Sequence, residues 1–313
     1  MAEALVVEQR IAYSRVGAGP AVVLLHGGMD DSRSWRWQLE GLCDEFKVIA
    51  WDAPGCGRSS EPPACWRLAD YAGCLARFLG VIGVNRPHVL GISWGSSLAL
   101  ELYRRFPKVP RSLILASAYA GWAGSLPPTA VVERLQNVLA AADLPRNELL
   151  QGLPGVLTAA TPSPVADELA SIWADNGGTA HPAGYRAMAH SMAEADLRDV
   201  LPCINVPTLV LHGELDQRAP LTVATAIHAS IPMSKLVVLP CVGHMCNAEA
   251  PEKFNERVRE FIRSIEEDLH SRHDTAPDRS SRVGAADMAE PPRGHSAPPS
   301  SFHQPPRRPS CSR

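Results

Sequence analysis

The feature that most constrains this chain is its alternation of short apolar runs with longer amphipathic stretches. Residues 21–25, 47–51, 87–92, 112–116, 208–211 and 235–239 are near-continuous apolar, β-branched runs. Strands buried on both faces read in this way. Between them, helical spacing is predicted over 34–46, 68–79, 96–106, 221–229 and 251–269. Pro251 suits a first helical position. Strand–helix alternation implies an α/β fold, with a mostly parallel sheet and helices on both faces. Residues 4–8 and 10–16 are expected to form an antiparallel hairpin at one edge.

Two regions break the pattern. Residues 121–201 contain no convincing strand and have helical patches at 130–142, 165–176 and 184–200. They are expected to form a helical insertion over one end of the sheet. The core then divides into 1–120 and 202–270. Residues 271–313 carry eight prolines and seven arginines with few large apolar residues. Such a segment cannot bury enough surface to offset its ordering entropy, so a disordered tail is expected.

Composition narrows the function. The 313 residues have a formal net charge of −3, which gives no bulk attraction to nucleic acid or to an anionic membrane. No apolar run approaches the roughly 20 residues needed to span a bilayer. Residues 1–16 lack a basic start followed by an apolar stretch, so a cytoplasmic protein is expected. The eight cysteines form no C-x-x-C pair and no Cys/His set with zinc spacing. Reduced thiols, no metal and no cofactor are expected. The partner is a small-molecule substrate, and the chain is a monomer or homodimer.

The chemistry is carried by Gly91-Ile92-Ser93-Trp94-Gly95. It lies between a predicted strand and a predicted helix, the context a G-x-S-x-G nucleophile elbow requires. A turn this tight strains the serine backbone and leaves no room for side chains at positions 91 and 95. The hydroxyl then projects beside a helix N-terminus, which favours a developing oxyanion.

Serine needs a base, and the chain order expected for this elbow is Ser, then Asp or Glu, then His. Asp216 follows the 208–211 run and His244 follows the 235–239 run. Both fall at carboxyl ends of strands, where open α/β sheets build their sites. Glu214 is a rival acid, but Asp216 lies further into the loop. The expected triad is therefore Ser93, Asp216 and His244. Trp94 and Gly28 are the expected oxyanion-hole donors, with Met29 the alternative to Gly28; His26 is read as structural. Met29, Trp35, Trp94, Trp122, Met188, Met192 and Met245 hint at an apolar pocket. Met29, Trp122 and Met245 are the candidate substrate contacts.

Residues 3–270 resemble the α/β-hydrolase fold family. The matching motifs are His26-Gly27-Gly28, Asp52-Ala53-Pro54-Gly55-Cys56-Gly57-Arg58-Ser59, the Ser93 elbow, and the acid and histidine loops. The resemblance implies an eight-stranded sheet, residues 121–201 as a cap domain, and a structural role for Asp52. Residues 91–100 are similar to the elbow of proline iminopeptidases, but His26-Gly27-Gly28-Met29 departs from that group's H-G-G-P-G loop. Residues 243–255 look like those of 3-oxoadipate enol-lactonases and related carboxylesterases. Serine at 93 argues against haloalkane dehalogenases and epoxide hydrolases, which use aspartate. The expectation is a serine hydrolase acting on an ester or lactone with a small or medium, largely apolar acyl group. The alternatives are an aminopeptidase, a C–C bond hydrolase, or a small-molecule receptor on the same fold.

Overall fold

The computed structural model describes residues 2–149, 155–177 and 180–274. Eight strands form one sheet: β1 (Ala2–Val6), β2 (Gln9–Val16), β3 (Ala21–Leu25), β4 (Lys47–Trp51), β5 (His88–Ile92), β6 (Ser112–Ala116), β7 (Thr208–Gly213) and β8 (Ser234–Leu239). Their spatial order is β1-β2-β4-β3-β5-β6-β7-β8. The β1–β2 and β2–β4 pairs are antiparallel, and the remaining pairs are parallel.

The helices in chain order are α1 (Arg36–Leu42), α2 (Leu68–Val81), α3 (Trp94–Arg105), α4 (Pro128–Ala141), α5 (Arg146–Leu149), α6 (Ser163–Asp175), α7 (Pro182–Glu194), α8 (Leu221–Ser230), α9 (Cys246–Glu249) and α10 (Pro251–Asp274). Successive strand residues point to opposite faces, so each buried strand feeds two cores. Val23 and Leu25 join one core with Leu75 and Phe78 of α2, Leu98 of α3 and Val223 of α8. Val22 and Leu24 join the other with Leu42 of α1 and Phe254, Val258 and Ile262 of α10. The apolar continuity of these strands thus follows from helices on both faces.

Strand order reverses between β3 and β5. After β3 the chain crosses to β4 on one side, then returns to β5 on the other. The loops leaving β3 and β5 therefore diverge and open a crevice at the carboxyl end of the sheet, the place where such folds bind ligands.

Between β6 and β7 the described residues form helices α4 to α7 and no strand. The helix expected over 184–200 stops at Glu194. Ala195 turns extended, with ψ 126°, and the Leu197 N–H donates to the Ala120 carbonyl. That bond returns the chain to the core. Helix α10 continues to Asp274, so the expected polar tail begins inside a helix. The rest of that tail, 275–313, lies outside the described residues.

His88 is buried at the start of β5. Its Nδ1 meets Ser112 Oγ at 2.8 Å, and its Nε2 meets Glu266 Oε1 of α10 at 3.1 Å. Burial pulls His88 from 6.5 down to about 4, against the opposing pull of the Glu266 carboxylate. The unfolded chain takes up this proton near pH 6.5 and the folded chain only near pH 4. Its stability contribution is therefore complete above the higher value and is lost as pH falls toward the lower. Wild-type protein should lose about 2 kcal/mol more than His88→Gln between pH 7 and pH 5, read from urea unfolding. Equal losses in the two proteins would contradict this role.

Candidate active site

Ser93 sits between β5 and α3 at φ 53° and ψ −115°. A non-glycine residue there is strained and persists only where surrounding packing enforces it. The enforcement is visible. A Cβ at Gly91 would overlap the Gly95 carbonyl, and one at Gly95 would overlap the Leu25 carbonyl of β3. The Ser93 N–H donates to Ala116 O of β6 at 3.0 Å. Trp94 opens α3, so its N–H has no carbonyl to bond within the helix. Its indole is buried, with Nε1 donating to Ser191 Oγ of α7 at 2.9 Å.

His244 Nδ1 donates to Asp216 Oδ2 at 2.8 Å. The other Asp216 oxygen accepts from the N–H groups of Arg218 at 2.9 Å and Ala219 at 2.8 Å. Both side chains are buried. Burial pushes the Asp216 carboxyl up, but the His244 hydrogen bond and charge and the Ala219 N–H hold it below the usual range. It is ionised at neutral pH. Glu214 is exposed and accepts instead from the Cys241 N–H at 2.9 Å. The rival acid is turned away from the histidine.

His26 and Asp52 brace the surrounding loops. His26 Nε2 accepts from the Ala53 N–H at 3.0 Å, which leaves Nδ1 to donate to Gly27 O at 2.7 Å. Asp52 accepts from the N–H groups of Ser32 at 2.9 Å and Arg58 at 3.1 Å.

Ser93, Trp94, His244, Gly28, Met29, Trp122 and Met245 all line one cavity of about 510 Å³. It lies at the β3–β5 crevice, and α4 to α7 supply the opposite wall. Gly28 faces Met188 Sδ across it, 3.9 Å from where a Cβ would stand. Met29 takes φ 61° and packs with Ala142, Leu149, Ala174 and Tyr185. Met188 and Met192 also line the cavity. Trp35, taken as a pocket residue from sequence, does not. It is fully buried and packs on Phe254 with ring centroids 6.3 Å apart. Among the described residues, no group of three His, Cys, Asp or Glu side chains is placed to hold a metal. No helix among them is long and apolar enough to cross a membrane.

Residues 20–251 match the family model for the alpha/beta hydrolase fold. The chain belongs to the α/β-hydrolase fold family. Among solved α/β-hydrolases it is similar to a thermophilic esterase from Thermogutta terrifontis, determined with malate bound. That likeness is 29% identity and a TM-score of 0.75 over 82% of this chain and 94% of that one. It is also similar to a hydrolase from Pseudomonas aeruginosa, at 28% identity, a TM-score of 0.73, and 82% and 97% coverage. A 2-hydroxy-6-oxononadienedioate/2-hydroxy-6-oxononatrienedioate hydrolase of Burkholderia vietnamiensis is 26% identical over 279 residues, covering 82% of this chain and 92% of that one. As a member of this family the chain is a hydrolase.

Several residues of this α/β-hydrolase cavity escaped the sequence reading. Asp30, Arg134, Tyr185 and Arg218 all line it. Asp30 is buried, and that burial together with the Asp31 charge pushes its carboxyl well above the usual range. Only its place in the His26-Gly27-Gly28-Met29 loop offered a signal. Nothing in the pattern around Arg134 or Tyr185 did.

The elbow makes a direct prediction. Gly91→Ala and Gly95→Ala should each cost on the order of 3 kcal/mol in urea unfolding, because the atoms they meet are backbone and cannot swing aside. Wild-type midpoints would mean that the turn relaxes freely.

Proposed function

We propose that this chain is a serine hydrolase that cleaves a carboxylic ester or lactone through an acyl-enzyme on Ser93. The observation that carries the reading is the buried His244–Asp216 pair, 2.8 Å apart, opening on the same cavity as the strained Ser93. In this reading Ser93 Oγ attacks the substrate carbonyl while His244 Nε2 takes the hydroxyl proton. Asp216 holds the imidazole with Nδ1 protonated and stabilises the imidazolium. The N–H groups of Trp94 and Gly28 receive the oxyanion, each lowering the barrier by about 3 kcal/mol. His244 then passes its proton to the leaving oxygen, and the alcohol departs. Water, deprotonated by His244, attacks the acyl-enzyme and releases the acid and free Ser93.

Residues 121–201 act in this reading as a cap. Their Met188, Met192 and Trp122 line the cavity opposite Ser93, which suits an acyl group of small or medium size with an apolar body. Cleavage of a C–C bond next to a carbonyl is the second reading. It is favoured by the similarity to the Burkholderia vietnamiensis hydrolase, and the same triad serves it.

A fluorophosphonate probe should label the protein, and Ser93→Ala should abolish labelling. Persistent labelling of the variant would remove Ser93 as nucleophile. His244→Ala should lower turnover of p-nitrophenyl acetate by ~1000-fold or more. A near wild-type rate would point to another base.

A further inference from the structure

The cavity wall holds two arginines, Arg134 of α4 and Arg218 in the loop after Asp216. Among the described residues neither is ion-paired with a carboxylate. Elsewhere arginines find carboxylates: Arg33 pairs with Asp31 at 2.7 Å, Arg67 with Glu194 at 2.7 Å, and Arg186 with Asp143 at 2.8 Å. Arg134 donates instead to neutral oxygens, Tyr119 Oη at 3.0 Å and the Arg218 carbonyl at 2.8 Å. Its guanidinium also lies 5.9 Å from the ring centres of Tyr119 and Trp122. The Arg218 guanidinium is bonded to no described residue; only its backbone takes part, the N–H with Asp216 and the carbonyl with Arg134 and Tyr119.

Two cations facing one cavity with no carboxylate ion-paired to either among the described residues are costly. Burial is the main influence pulling Arg218 below the usual arginine range, and the Arg134 charge adds to it. Arginine nonetheless keeps its charge at neutral pH. The acids nearby do not neutralise the pair. Asp216 is committed to His244 and two backbone N–H groups. Asp30 is buried, and that burial pushes its carboxyl well above the usual range, away from the charged form. Glu148, the remaining carboxylate lining the cavity, is exposed. Tyr185 adds a donor on the same wall. Its hydroxyl is buried without a partner, and burial pushes the phenol up to about 12. The rest of the lining is mostly apolar, including Trp122, Met188 and Met192.

We infer that the substrate carries a carboxylate, joined to the scissile carbonyl group by an apolar chain and bound by the Arg218 guanidinium with Arg134 behind it. Planar guanidinium donors match a carboxylate in geometry as well as charge. This deepens the serine-hydrolase reading and rests on it: the site would take half-esters of dicarboxylic acids, or esters and lactones with a carboxylate on the alcohol side.

Two matched substrate pairs test it. One sets p-nitrophenyl half-esters of glutarate to suberate against neutral p-nitrophenyl esters of equal chain length. The other sets 4-acetoxybutanoate against butyl acetate. The full chain should prefer the anionic member of at least one pair by ~10-fold or more in kcat/KM. Arg218→Gln should erase that ratio, and Arg218→Lys should keep most of it. Absence of preference in both pairs overturns the inference. So does an Arg218→Gln variant in which both rates fall together and the ratio stands, because Arg218 would then only support the Asp216 loop. Calorimetric titration with adipate separates the two levels of the proposal. If no ester is turned over, the hydrolase reading fails. The carboxylate site then stands if adipate binds wild type at least ~10-fold more tightly than Arg218→Gln, and falls if it does not.

Discussion

The contact on which this structure turns is the one between the elbow and its neighbouring strand. Gly95 at the start of α3 lies so close to the Leu25 carbonyl of β3 that no side chain fits between them. This approach presses the first turn of α3 onto the end of β3 and brings the Ser93 loop beside the His26-Gly27-Gly28 loop. A Cβ at Gly27 would stand only 3.7 Å from Ser93 Cβ. The reversal of strand order between β3 and β5 creates the crevice, and the glycine contact draws its two walls together beside Ser93. The strain at Ser93 is maintained by sheet hydrogen bonding and by the two cores that pack the sheet between helices.

Much of this was legible in the sequence because it depends on local rules. Strand runs such as 21–25 and 47–51 were found within a residue because both faces are buried, which leaves no polar interruption to blur the ends. The elbow declared itself through two glycines at a fixed spacing between a strand and a helix. Asp216 and His244 stand out in the sequence because chain order and strand ends restrict where such residues stand. Their meeting at 2.8 Å depends on the parallel pairing of β7 and β8, which aligns the loops that follow.

The rest was illegible for reasons equally physical. Trp35 reads as any buried aromatic does, and sequence does not say whether it faces a cavity or Phe254. That neither Arg134 nor Arg218 is ion-paired with a carboxylate among the described residues depends on contacts across space, which no linear pattern encodes. The end of α7 at Glu194 escaped because helical periodicity continues beyond it; a bond to the Ala120 carbonyl, 77 positions away in the chain by number, ends the helix. Helix α5 is only four residues long, too short for periodicity to register.

The bond between the Trp94 indole and Ser191 joins the residue after Ser93 to helix α7. In the proposed hydrolase, chemistry and selectivity are otherwise written in separate parts of the molecule, the one in the loops of the sheet and the other in α4 to α7. Through this bond they share a hinge pin. In the proposed hydrolase, sequence drift among α4 to α6 reshapes the chamber at little cost to the reaction, whereas drift at position 191 reaches the Trp94 side chain directly. Diversification of this scaffold toward new substrates should therefore spare the middle of α7 and spend its freedom in α4 to α6.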